Sequence, residues 1–267
     1  MNSTDIPLIT VPLGGEAHRL ARQFAAEAMQ LAAEPVRHEV GKRVYLNTLA
    51  VYAVHSYLTW QTYETDIHQG DSAHPVLRTR IDVADLVIPG LGKLECRPVW
   101  EGEMALALPT EATEDRIGYV AVRFGERLDQ GKLLGFAPAV DTSNPPNQLA
   151  LADLQSLDDL IDYLYRLELA NDFLQGDDPV AFQVREVLET TSMSEIVTQL
   201  ERIYRIESKD ERPYAVKDIL AGSVIGVGSE REVIASNDEE DIELLELAES
   251  LLEKLAQIWE DNDTTAS

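Results

Sequence analysis

Residues 43–71, R43-VYLNTLAVYAVHSYLTWQTYETDIHQG-D71, decide how the rest of the chain is read. The stretch has no Asp, Glu, Lys or Arg between Arg43 and Glu64, and from Val44 to Trp60 it is apolar almost all round. A helix that is apolar on every face belongs inside a protein. The run falls short of the roughly 18 uninterrupted apolar residues of a membrane span, and Asn47, Thr48, His55 and Ser56 interrupt it. A buried central helix is the expectation, with Leu49, Ala53, Leu58 and Trp60 in the core and Trp60 against a sheet. Its end is expected near the turn cluster 69–72, where Gly70 suits a C-cap.

Upstream, residues 6–13 (IPLITVPL) read as an extended segment that Pro7 and Pro12 push towards an edge strand or strap. Residues 16–34 place Leu20, Phe24, Ala28 and Leu31 at helical spacing, so an amphipathic helix precedes Pro35. Downstream of about residue 80 the period changes. Residues 81–88 and 91–99 flank Pro89-Gly90 as a hairpin, and 104–108 is a short strand closed by Pro109. Residues 116–124 (RIGYVAVRF) form the plainest strand, and 132–140 follow, with Pro138 suggesting an edge. Strands joined by short turns with no helix between them imply a mostly antiparallel sheet.

Beyond the linker 141–146 the chain returns to helical periodicity. Ser156 and Asp159 have the spacing of a capping box opening a helix to about Phe173, with Leu160, Leu164, Leu167 and Leu174 on its apolar face. Further helices are expected at 180–188, 194–204 and 213–220. Residues 222–237 (beginning GSVIGVG) read as a flexible connection, and a last helix from about 238 to 260 opens with Ser236 and Glu239 in capping spacing. The fold class expected is α+β: an N-terminal helical pair packed on a mostly antiparallel sheet, followed by a helical C-terminal region. The divisions expected are 1–145, 146–221, 222–237 and 238–267.

Composition narrows the function. The 22 Lys+Arg against 48 Asp+Glu give a formal charge of −26, a field that repels nucleic acid and anionic membranes and favours basic partners or simple solubility. A single cysteine, Cys96, excludes an internal disulfide framework. The N-terminal residues show no positive region ahead of a long apolar run, so a cytoplasmic protein is expected.

The strings VYLNTLAVYAV, YETD, DVADLVIPGLGKLECRPV, DRIGYVAV and LLGF, over roughly the first 140 residues, resemble the uncharacterised cyanobacterial family called domain of unknown function 1822. The resemblance supplies no catalytic residues. It implies a genomic setting beside a sigma-type transcription factor and a caspase-like protease, hence those two as a binding partner and a processing enzyme.

The candidate chemistry has plain structural readings beside it. His55 could be a buried base or a hydrogen-bonded core histidine. Glu64, Asp66, Asp71, Asp82 and Asp85 could converge on a divalent cation, but their spacing matches no loop motif, and turn and cap roles account for Asp66 and Asp71. Cys96 reads as a packed thiol rather than a nucleophile. Glu95 and Arg97 share a strand face, which suits a cross-strand ion network or a binding surface, and Asp115 and Arg116 suit a structural salt bridge. Residues 222–228 lack the Lys of a phosphate loop. No catalytic residue, cofactor or metal site is assigned.

The expectation is a non-catalytic regulator or adaptor that binds a basic protein, such as an inhibitor of a sigma-type factor. An enzyme using the carboxylates from Glu64 to Asp85, or a structural subunit of a larger assembly, are the alternatives. Partner contact is assigned to Glu246, Leu252, Leu255 and Trp259 on the last helix. The same apolar seam could instead pack on its own domain.

Overall fold

In a computed structural model the chain is described over residues 8–109, 116–139 and 147–177. Packing divides it into two units, Met1–Tyr163 and Leu164–Ser267. The central helix is α2, Arg37–Trp60, preceded by a 3-10 turn at Glu34–Val36 that Pro35 helps to start. Leu49, Ala53, Val54 and Leu58 are fully buried, as the apolar run requires. Its end lies ten residues before the expected one. The Tyr63 N–H donates to the Leu58 carbonyl (2.9 Å) and the Thr62 N–H to that of Thr59 (3.1 Å), with Thr62 at φ +71°. That is a Schellman motif with threonine where glycine is usual. Only Thr59 and Trp60 of the last turn are exposed, and Trp60 stands 55% exposed instead of against the sheet.

Helix α1, Gly15–Leu31, packs on α2. Its buried stripe is short: Ala17, Ala21, Ala25 and Ala28 with Phe24. Small side chains let the two backbones approach closely. Gly41 of α2 serves the same contact, since a Cβ there would lie 2.7 Å from the Met29 sulfur. Leu31, expected on the apolar face, is exposed because the helix ends at that residue, beyond the alanine stripe.

Five strands form one sheet in the order β1-β6-β5-β3-β2: β1 Ile9–Pro12, β2 Asp85–Ile88, β3 Gly92–Trp100, β5 Arg116–Phe124 and β6 Gln130–Pro138. β1 is an edge strand, as its prolines suggested. Three of the four pairings are antiparallel, but β3 and β5 run parallel, because a connection containing β4 (Ala105–Ala107) joins them in place of a tight turn. β6 is internal, contrary to the reading of Pro138. Proline is tolerated there because it is the strand's last residue, well past the short β1, which pairs only Gln130 to Leu133.

Helix α2 lies across this sheet, with the Ala53 methyl and Val122 both close to Gly131 of β6. On the opposite face Val99, Tyr119 and Ala121 pack with Leu106, Leu108 and Leu154. There β4 pairs with β7 (Gln148–Ala150), a strand the sequence reading passed over, as it did α3, Pro75–Arg80. Helix α4, Leu157–Gln175, opens with the expected capping box: the Asp159 N–H donates to the Ser156 hydroxyl (3.1 Å), and the Ser156 N–H to the Asp159 carboxylate (2.8 Å). Leu160, Leu164 and Leu167 are buried. No described helix is long and apolar enough to cross a membrane. The linker 141–146, the helices placed at 180–188, 194–204 and 213–220, the connection 222–237 and the final helix lie outside the described residues.

Candidate functional site

Alternation along β3 puts Lys93, Glu95, Arg97 and Val99 on one face, and the β2–β3 register sets Asp85 opposite Glu95. Regular alternation along β5 would place Arg116 with Gly118 on the other face. The pairing instead runs Lys93 to Arg116 and then Leu94 to Gly118, so Ile117 is an extra residue in β5. Such a bulge turns a side chain to the opposite face. Arg116 thereby joins Glu95.

Glu95 is the centre of what results. Its Oε1 accepts from the Ala84 N–H (2.7 Å) and Arg97 Nη1 (3.2 Å), and its Oε2 from Arg116 Nε (3.0 Å). The Asp85 carboxylate accepts from the Asp71 and Ser72 N–H groups (2.8 and 2.7 Å), with Arg116 Nη2 3.8 Å away. Asp71 also receives Lys93 Nζ (3.1 Å) and Arg116 Nη2 (3.4 Å). Asp82 receives Arg97 Nη2 (2.8 Å) and Asn47 Nδ2 of α2 (2.8 Å), and Arg43 Nε lies 4.0 Å from it. Four carboxylates, Asp71, Asp82, Asp85 and Glu95, thus face four cations, Arg43, Lys93, Arg97 and Arg116. Gly70 has a different role from the one expected: its φ is −69°, and a Cβ there would lie 2.7 Å from Asp85 Oδ1. It lets the carboxylate reach the 71–72 backbone.

Burial raises the Glu95 carboxyl above its ordinary value despite the opposing charges of Arg116 and Arg97. For Asp82 and Asp71 burial acts the same way but is outweighed, by Arg97 with Asn47 and Arg43 at Asp82 and by Lys93 and Arg116 at Asp71, so both are held below the ordinary range. In the same way burial opposes the charge of Arg97 and Arg116, and their carboxylate partners hold both raised. Such pairs contribute little net stability against an apolar alternative but are strongly destabilising to break.

The five carboxylates weighed as a cation site separate into two groups. Asp71, Asp82 and Asp85 converge, but on arginine, lysine and backbone N–H groups. Glu64 is exposed, and Asp66 caps the turn that follows it by accepting the His68 N–H (2.7 Å) while its backbone bridges to Val87. Cys96 is fully buried, and burial pushes its thiol well up. His55 shares a hydrogen bond with the Thr65 hydroxyl (2.6 Å), and burial lowers its pKa. The Glu95–Arg97 network expected from alternation is present, while Asp115 lies outside the described residues. Lys93 was missed, and Asn47, a lone amide in an apolar run, was the signal for the α2 contact. Glu246, Leu252, Leu255 and Trp259 lie outside the described residues.

Fold and network together define an α+β protein whose sheet is locked to its helical layer by a charge-balanced buried cluster. The chain belongs to the family described as Protein of unknown function (DUF1822), which matches residues 11–213. The match extends well beyond the strings that carry the resemblance, which lie in roughly the first 140 residues. Neither a curated protein nor a solved structure matches the chain.

Proposed function

We propose that this protein acts by binding a basic protein, as a regulator or adaptor, and that a cytoplasmic sigma-type factor is its partner. The observation that carries this reading is the state of the conspicuous carboxylates. An acid–base or metal-dependent enzyme needs a carboxylate open to substrate or ion. Asp71, Asp82, Asp85 and Glu95 are instead held by arginine, lysine and backbone donors, which disfavours the enzyme alternative. The excess acidity lies elsewhere. Residues 227–267 hold 13 Asp+Glu and 2 Lys+Arg, a charge of −11 out of −26. Such a field steers a basic partner, and Leu252, Leu255 and Trp259 at helical spacing supply apolar anchors beside Glu246.

Calorimetry of the full chain against a purified sigma-type factor tests the reading. Binding should weaken as salt rises, and Leu252→Ala with Leu255→Ala and Trp259→Ala should weaken it about tenfold or more. No binding removes the sigma-type assignment. Unchanged binding by the triple variant removes the last helix from the interface.

A further inference from the structure

The β5–β6 hairpin closes over a cleft of about 370 Å³ whose lining includes Arg123, Arg127, Lys132, Phe124, Glu101 and Asp129. The volume lies within the range of small-molecule sites, about 300–1,000 Å³. Its charge is unusual for this chain. Among the described residues Arg22, Arg80, Arg123, Arg127 and Lys132 are in no ion pair or side-chain hydrogen bond, and three of the five line this one cleft. Among the described residues neither Glu101 nor Asp129, which share the lining, comes within ion-pair distance of them. Arg123 and Lys132 are, moreover, direct cross-strand partners. Like charges in that position repel, because the side chains start only about 5 Å apart. The Arg123 Nε is buried with no partner.

We infer that this cleft binds a small phosphate-bearing molecule. Arg123 and Lys132, side by side, converge on one group rather than two. A phosphate offers several acceptor oxygens and up to two negative charges to that pair, where a carboxylate offers two oxygens and one. The exposed Arg127 closes over the bound group from the turn. The frame is rigid: the Asp129 carbonyl accepts the Leu13 N–H (2.8 Å), and β1 pairs with β6 from Gln130 to Leu133. The two carboxylates in the lining hold the site to a net charge near +1, which selects against large polyanions such as nucleic acid.

Amide spectra of the full chain, titrated with inorganic phosphate and separately with succinate at constant ionic strength, test the inference. Phosphate is expected to shift the amides of residues 123–132 saturably. Arg123→Gln with Lys132→Gln should weaken the phosphate response about tenfold or more, and Arg127→Gln, an exposed change that leaves the fold intact, should weaken it severalfold. Shifts that do not saturate, or that persist unchanged in Arg127→Gln, overturn the site. A succinate response as tight as that of phosphate overturns the ligand class.

Discussion

Glu95 is the residue on which the buried network depends. Glu95→Ala removes the buried acceptor of the Ala84 N–H, Arg97 and Arg116 together, which should destabilise the fold by about 3–5 kcal/mol in urea unfolding. Replacing Glu95 and Arg116 together by methionine should recover most of that loss, since neither charge is then stranded. The network also sets an acid limit. Asp71 and Asp82 titrate below their ordinary range in the folded state, so their stabilisation is present above about pH 4 and fades as pH falls through their folded values. Glu95 is raised and acts with the opposite sign, gaining its proton first in the native state. Asp82→Asn should therefore flatten the loss of stability below about pH 4, measured by unfolding at stepped pH. Thr62 offers the reverse test: at φ +71° a β-branched residue is strained, so Thr62→Gly should raise stability by roughly 0.5–1 kcal/mol. Two-residue alternation makes the Glu95–Arg97 pair legible in the sequence. Arg116 is not, because one extra residue, Ile117, reverses its face and nothing in the strand's composition marks it.

Among the elements, α2 should divide sharply by position. Leu49→Ala is expected to cost about 2–5 kcal/mol, whereas Trp60→Ala should stay within about 0.5 kcal/mol, both read from thermal unfolding. An equal effect at the two positions would contradict the placement of the helix end. Ser156→Ala should cost about 1 kcal/mol through the capping box of α4. These elements were legible to different degrees for physical reasons. Apolar periodicity reports α1, an unbroken apolar run reports α2, and Ser156 with Asp159 reports the start of α4, because each signal is local. The stop after Trp60 rests on a threonine in a glycine's conformation, and β7 and the parallel β3–β5 pairing are set by partners distant in sequence.

For the whole molecule, a formal charge of −26 means self-repulsion that salt can screen, whereas the buried pairs around Glu95 are shielded from it. Raising ionic strength from about 10 to about 200 mM should therefore raise the melting temperature, and a fall would show that exposed ion pairs dominate stability. The edge position of β1 has a consequence in time. Ile9 is made more than a hundred residues before its ladder partner Leu133, a delay on the order of ten seconds at ordinary rates of synthesis. Through that interval β1 has no ladder to join. Closure of the sheet is thus a late, long-range step, and a newly made chain is open to capture by chaperones until the β5–β6 hairpin arrives.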